Sequence, residues 1–285
     1  MTSDTGGLTA TELEQIERAN DSDAPVVVFI HGLWLLSSSW DRWREFFEHR
    51  GHVTIAPGWP NDPETVAEGR ANPERFAGNG VGEITDHYVE AIGRLTRKPA
   101  VVGHSFGGMI AQRLAGMSLS SVTVPIDPAP FRGVLPLPFS SLKSSSPVLS
   151  NPANRTRAVM LTYDQFRYAF VNAVDEAQAR RLYDEYPVPG PGRPLFQAAT
   201  ANFNPKTVVK VDTRNPSRGP MKILCGELDH TVPWAVANAS YKKQLANPGV
   251  TGIQKVLGRG HSLVFDDGWA DVAEITAAFV EAYTS

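Results

Sequence analysis

The chain has 285 residues, 42% of them hydrophobic and 20% charged, with a formal net charge of −3. That profile belongs to a globular protein with room for a large core, and it excludes a disordered or fibrous chain. It shows no overall basic surplus, so no nucleic-acid partner is expected.

Residues 1 to 22 are polar, and Thr11 followed by Glu14 has the spacing of a capping box, which predicts a short helix over Glu12 to Arg18. At Ala24 the character changes to a β-branched run, Ala24-Pro25-Val26-Val27-Val28-Phe29-Ile30, closed by His31-Gly32. Such runs read as strands buried on both faces, as in parallel sheets. Further strands are expected at His52 to Ala56, Pro99 to Val102, Val122 to Ile126, Lys222 to Cys225 and Gln254 to Leu257. Helices are expected at Ile84 to Thr96, Met109 to Ala115 and Trp269 to Tyr283, the last with Val272, Phe279 and Tyr283 on one stripe. Strands alternate with helices and most strands close on Gly or Pro, which points to a parallel α/β sheet.

Residues 131–217 break this rhythm. Ser- and Pro-rich linkers surround helical stretches at Tyr163 to Val174 and Asp175 to Tyr183, and the segment holds six phenylalanines and four tyrosines. It carries eleven Lys/Arg against six Asp/Glu. The expected arrangement is a core made of residues 1–130 and 218–285 with a helical cap inserted at 131–217. The charge reads as a solvated helical face, whereas the aromatic excess suits a cover over an apolar pocket.

No apolar run approaches the roughly 20 residues of a membrane span, so none is expected. The N-terminus has neither the basic start nor the apolar stretch of a signal peptide. Cys225 is the lone cysteine, which excludes an intrachain disulfide. Both features fit a cytoplasmic protein.

Gly103-His104-Ser105-Phe106-Gly107 has the G-x-S-x-G pattern between an expected strand and an expected helix. That turn strains the serine backbone and exposes its Oγ, and the glycines let the chain fold so tightly. A serine hydroxyl is a poor nucleophile until a base takes its proton. His261, in Gly258-Arg259-Gly260-His261 after a strand, is the favoured base. The base in turn needs a carboxylate to hold its tautomer. Asp229, just beyond another strand, leads for that role, with Asp127 second and Glu227 a further rival. The turn at His31-Gly32-Leu33-Trp34 would aim the Leu33 N–H at a reacting carbonyl oxygen, and Phe106 would supply the second N–H. His31 and His104 read as structural neighbours, and Trp40 and Trp43 as core. Trp34, Phe131, Phe139, Phe166 and Phe170 are candidates for a substrate pocket. No metal-binding motif or phosphate loop occurs, so neither a metal nor a cofactor is expected.

Taken together, His31-Gly32, the Gly103-to-Gly107 elbow, Asp229 with Val232-Pro233, and Gly260-His261 resemble the α/β-hydrolase superfamily over residues 24–130 and 219–285. The resemblance implies an α/β fold, a Ser-His-Asp mechanism and no cofactor; attack by Ser105 would form an acyl-enzyme, and the cap aromatics would shape a mostly apolar pocket for a small-molecule acyl substrate. A serine at the elbow, in place of an aspartate, argues against the branches that attack with a carboxylate. Only 23 residues precede Ala24 and they do not alternate, so the first two antiparallel strands of many relatives are expected to be missing, leaving about six strands. Pro57-Gly58-Trp59-Pro60 replaces the Gly-His-Gly-type run of relatives, which leaves the substrate open. A carboxylic ester hydrolase is the leading expectation. A lactonase, thioesterase, amidase, acyltransferase or perhydrolase would use the same triad, and a small-molecule receptor with little turnover is the alternative from another class. The oligomeric state is not legible.

Overall fold

The computed structural model describes residues 7–284. Six parallel strands form one sheet: β1 (Val26–Ile30), β2 (Val53–Ile55), β3 (Ala100–His104), β4 (Val122–Ile126) and, after two short strands to be described, β7 (Met221–Gly226) and β8 (Thr251–Val256), in the order β2-β1-β3-β4-β7-β8. Every residue of β1, β3 and β4 is buried, as continuous Val/Ile/Ala runs require when helices cover both faces of a sheet. The absence of a leading antiparallel pair among the described residues matches the expectation of about six strands.

The helices of the core are α1 (Ala10–Asn20), α2 (Asp41–His49), α3 (Val66–Ala71), α4 (Val81–Gly93), α5 (Phe106–Gly116), α10 (Trp234–Gln244) and α11 (Trp269–Thr284). Helix α5 packs on β3 and β4, α10 on β7 and β8, and α11 on β4 and α2. Phe29 of β1 anchors an aromatic cluster with Trp40, Trp43 and Phe47, at ring-centroid distances of 5.1, 6.2 and 5.4 Å. Such contacts add about 0.5–1.5 kcal/mol per pair beyond the area they bury. Trp40 and Trp43 are therefore core residues, as expected.

Two expectations need correction. The capping box forms at Thr9 and Glu12, where Glu12 N–H donates to Thr9 Oγ1 (3.2 Å) and Thr9 N–H to Glu12 Oε2 (2.8 Å). Thr9/Glu12 and Thr11/Glu14 share the same spacing, and tertiary contacts choose between them. Glu12 Oε1 also accepts the Gly58 N–H at 3.0 Å and lies 2.9 Å from His87 Nε2. In α11 the buried side is made by Val272, Ala273, Thr276, Ala277 and Val280, while Tyr283 is exposed. Small residues make up most of the buried face, Phe279 packs partly buried against the core, and Tyr283 falls outside it.

Between β4 and β7 the chain leaves the sheet. It forms α6 (Phe139–Leu149), β5 (Ala158–Val159), α7 (Tyr163–Ala169), α8 (Glu176–Glu185), β6 (Gly190–Pro191) and α9 (Arg193–Thr200), with β5 and β6 paired antiparallel. A capping box of Thr162 and Gln165 starts α7, and the Asp175 side chain caps α8. This insertion is tied to the loop after β1 through Trp34, whose Nε1–H donates to the Val159 carbonyl (2.9 Å) and whose own carbonyl accepts the Val188 N–H (3.0 Å). Among the described residues no helix is long and apolar enough to cross a membrane.

Candidate active site

Ser105 sits between β3 and α5 with φ 56° and ψ −119°, a conformation that costs a non-glycine residue about 1–3 kcal/mol. Its surroundings enforce it. The Ser105 N–H donates to the Ile126 carbonyl and the Ser105 carbonyl accepts the Ala129 N–H, both at 2.9 Å. The flanking glycines are sterically required. A Cβ on Gly103 would lie 2.2 Å from the Gly107 carbonyl oxygen, and one on Gly107 would lie 2.2 Å from that of Ile30.

Three strand ends then converge. The Ser105 Oγ–H donates to His261 Nε2 at 3.0 Å, and His261 Nδ1–H donates to Asp229 Oδ2 at 2.6 Å. All three residues are buried. Asp229, after β7, is held by its own turn. Its Oδ1 accepts the N–H groups of Thr231 (2.7 Å) and Val232 (2.9 Å), which fixes the side chain and leaves Oδ2 for the histidine. His261, after β8, is steadied from behind by His104, whose Nε2–H donates to the His261 carbonyl at 2.9 Å. Burial, with the His261 charge as a smaller cause, pushes the His104 imidazole well below its ordinary value, so it stays neutral and structural.

Asp127 lies on the same side of the histidine. Its Oδ1 accepts the Gly226 N–H (2.8 Å), while its Oδ2 has no hydrogen-bond partner and stands 3.9 Å from His261 Nδ1. Burial first, and then the nearby Asp229 charge, pushes its carboxyl well above the ordinary carboxylate range. The contact distances therefore favour Asp229 over Asp127 as the partner of His261. Glu227 instead reaches the Gly258 N–H from an exposed position (3.0 Å). His104, Asp127 and His261 bring possible ligand atoms within 4.8 Å of one another, but both His261 nitrogens and Nε2 of His104 are already engaged in hydrogen bonds.

The turn after β1 packs directly against the serine. A Cβ on Gly32 would lie 2.9 Å from Ser105 Cβ. Among the described residues no backbone acceptor takes the Leu33 N–H. The Phe106 N–H opens α5, where the first N–H groups have no intrahelical partner. His31 Nε2 lies 3.0 Å from Asp62 Oδ2 and its ring stacks on Trp59.

A cavity of about 550 Å³ opens at Ser105, within the size range of small-molecule sites. Trp34, Phe106, Phe131, Val134 and Val232 line it, and no lining residue is charged. Of the five aromatic candidates, Trp34 and Phe131 are in place and the other three are not. Phe166 and Phe170 are buried and stack on each other at 5.0 Å, with Phe170 edge-on to His261 at 4.8 Å. Phe139 is exposed and lines no part of the cavity. A separate depression of about 800 Å³ beside Lys143, Arg167 and Tyr168 includes none of Ser105, Asp229 or His261.

The sequence reading of His104 as a neighbour did not extend to its hydrogen bond with the His261 carbonyl, and Phe170, expected in the pocket, lies against the His261 ring instead. The Asp229-His230-Thr231 spacing, which suits an Asx turn, was the available signal for the two N–H groups that hold Asp229.

A family profile described as the alpha/beta hydrolase family matches residues 27–275. The chain belongs to the alpha/beta hydrolase family. No curated protein matches the sequence of this hydrolase. Among solved structures it is similar to an extracellular alpha/beta-hydrolase from a Paenibacillus species (20% identity, 90% of this chain and 98% of that one, TM-score 0.63). It is also similar to a monoacylglycerol lipase from Paleococcus ferrophilus (19% identity, 92% and 95%, TM-score 0.63). A third similar structure is a putative non-heme bromoperoxidase from Mycobacterium tuberculosis (17% identity, 93% and 95%, TM-score 0.64). At these identities the likeness establishes the fold.

Proposed function

We propose that this alpha/beta hydrolase cleaves an uncharged carboxylic ester through an acyl-enzyme on Ser105. The observation that carries the reading is the unbroken chain from Ser105 Oγ through His261 to Asp229, at 3.0 and 2.6 Å, at the floor of an apolar cavity.

His261 takes the Ser105 proton as Oγ attacks the ester carbonyl, and Asp229 stabilises the imidazolium that forms. The N–H groups of Leu33 and Phe106 hold the oxyanion, each worth about 10²–10³ in rate. His261 then protonates the leaving alkoxide, which departs as an alcohol. Water attacks the acyl-enzyme with the same histidine as base, and the carboxylic acid leaves. The insertion, residues 131–217, serves as a cap whose Phe131 and Val134 contact the substrate. With no charged group lining the cavity, a charged acyl chain would lose its hydration without compensation.

The test is hydrolysis of p-nitrophenyl esters, from acetyl to long acyl, by wild type and Ser105→Ala. Turnover that falls at least about 10³-fold in the variant supports the reading. Activity that survives the substitution, or a wild type inactive on every ester, overturns it.

A further inference from the structure

The mouth of the cavity is unusually apolar on its outside. Leu135 (74% exposed), Leu137 (68%) and Phe203 (88%) line the cavity and face solvent at once, and Phe139 (78%) stands at the start of α6 in the same stretch. Soluble surfaces rarely gather apolar side chains this way without a partner. The two stretches that carry them are bound into one face. Gly133 N–H donates to Asn202 Oδ1 (2.6 Å), Asn202 Nδ2–H donates to the Val134 carbonyl (3.2 Å), and Arg132 N–H donates to the Val209 carbonyl (2.7 Å).

The charge on these stretches has one sign. Residues 131–150 hold Arg132 and Lys143, residues 195–211 hold Lys206 and Lys210, and neither stretch contains an Asp or Glu. All four cations are exposed, and among the described residues none forms an ion pair; Lys143 Nζ lies over the Tyr168 ring at 3.9 Å, so Arg132, Lys206 and Lys210 are the cations left to the rim. Lys243 adds a further cation beside Gly133, where a Cβ would meet its side chain at 3.4 Å.

We propose that this rim docks onto an anionic lipid surface. Leu135, Leu137, Phe139 and Phe203 enter the acyl boundary while the cations meet headgroup phosphates, in the manner of an amphipathic interfacial patch. Docking there sets the cavity mouth against the lipid, so an apolar molecule passes from the acyl layer into the cavity without crossing water. A protein partner would also cover apolar residues. The lipid is favoured because apolar tips flanked by unpaired cations complement a surface that is apolar below and anionic above.

The test is co-sedimentation with vesicles of phosphatidylglycerol and phosphatidylcholine in equal parts, against vesicles of phosphatidylcholine alone. The Ser105→Ala protein is used alongside wild type, so binding is read without turnover and its outcome is separate from that of the hydrolase reading. Expected are binding to the anionic vesicles that weakens as salt rises, weak binding to the neutral ones, and a fall of at least about fivefold for Lys206→Glu. Phe139→Ser weakens binding comparably. Both variants lie outside the cavity, so they keep wild-type hydrolysis of a soluble p-nitrophenyl ester, which also confirms that they fold. No binding to anionic vesicles at low salt overturns the proposal. So does binding that neither variant changes, or a concentration-dependent dimer that Phe139→Ser dissolves, since the occupant is then a second copy of the chain.

Discussion

Asp127 and Asp229 face the same nitrogen of His261, one at 3.9 Å and the other at 2.6 Å. Their environments differ as much as their distances. Asp229 receives two N–H groups of its own turn, whereas Asp127 receives one, and its second oxygen is buried without a partner. An unpartnered buried oxygen favours the protonated acid, in line with the upward push on the Asp127 carboxyl.

The two acids therefore respond differently to amide substitution. Asp229→Asn loses about 10⁴ in kcat, because an amide cannot hold the required tautomer or stabilise the imidazolium. Asp127→Asn, which imitates the protonated acid, stays within about tenfold of wild type, since one hydrogen bond to a neutral group is worth roughly 1 kcal/mol. Steady-state kinetics on one ester decides the matter, and a larger loss in Asp127→Asn than in Asp229→Asn would make Asp127 the functional acid.

Asp127 also carries a pH signature in stability. A carboxyl that holds its proton more tightly in the folded chain stabilises the fold fully below its ordinary value of 3.8, and that contribution is lost as pH rises through the folded value. Asp127→Asn does not titrate. Its Tm relative to wild type should rise as pH climbs from about 4 toward neutrality, and parallel Tm curves would count against the assignment.

His104 has the opposite sign. Its imidazole is pushed down from an ordinary value of 6.5, so its contribution is present above that pH and lost as pH falls toward the folded value. His104→Gln cannot titrate but can still donate toward the His261 carbonyl. Thermal unfolding between about pH 8 and about pH 5 should show wild type losing more Tm than the variant; an identical loss would remove His104 from the account.

Gly32 is a test of placement. Alanine there would bring a methyl within 2.9 Å of Ser105 Cβ and 3.2 Å of His104 Nδ1. The expected cost is about 1–3 kcal/mol in stability. A displacement of the serine by a fraction of an ångström should lower kcat by at least about tenfold. Wild-type kcat in a folded Gly32→Ala protein would show that the turn has slack.

Trp34→Phe keeps the ring against the cavity but removes the Nε1–H donor to Val159. The expected loss is about 1 kcal/mol, read by urea unfolding. An unchanged midpoint would mean that the Val188 N–H bond to the Trp34 carbonyl suffices to hold the insertion.

Much of the core was legible because its residues leave few choices. The Val26–Ile30 run is apolar without alternation, which only a strand covered on both faces can bury. The spacing of Gly103, Ser105 and Gly107 suits one sharp turn, and the 2.2 Å approaches explain why. The insertion was less legible. Helix α6 reads as a Ser- and Pro-rich linker, yet Ser145 and Ser146 turn their hydroxyls back onto the carbonyls of Ser141 and Lys143 and are absorbed into the helix. The two-residue ladder of β5 and β6 is too short to leave a periodic trace. Whether a phenylalanine faces a cavity, a histidine or solvent depends on the placement of its helix, so Phe166, Phe170 and Phe139 could be chosen by composition but not aimed.

The strand order has a consequence for how the protein matures. Strand β4 pairs with β7 only after the chain has run through the whole insertion, and Ser105 meets His261 across 156 residues of sequence. Contacts of such long range form late and slowly in folding. A nascent chain still lacking β8 already contains the elbow serine but not His261. The same C-terminal segment completes the burial of Trp43, whose Nε1–H donates to the Val264 carbonyl and whose ring lies 6.3 Å from that of Trp269, so the site and the tryptophan cluster would be completed together.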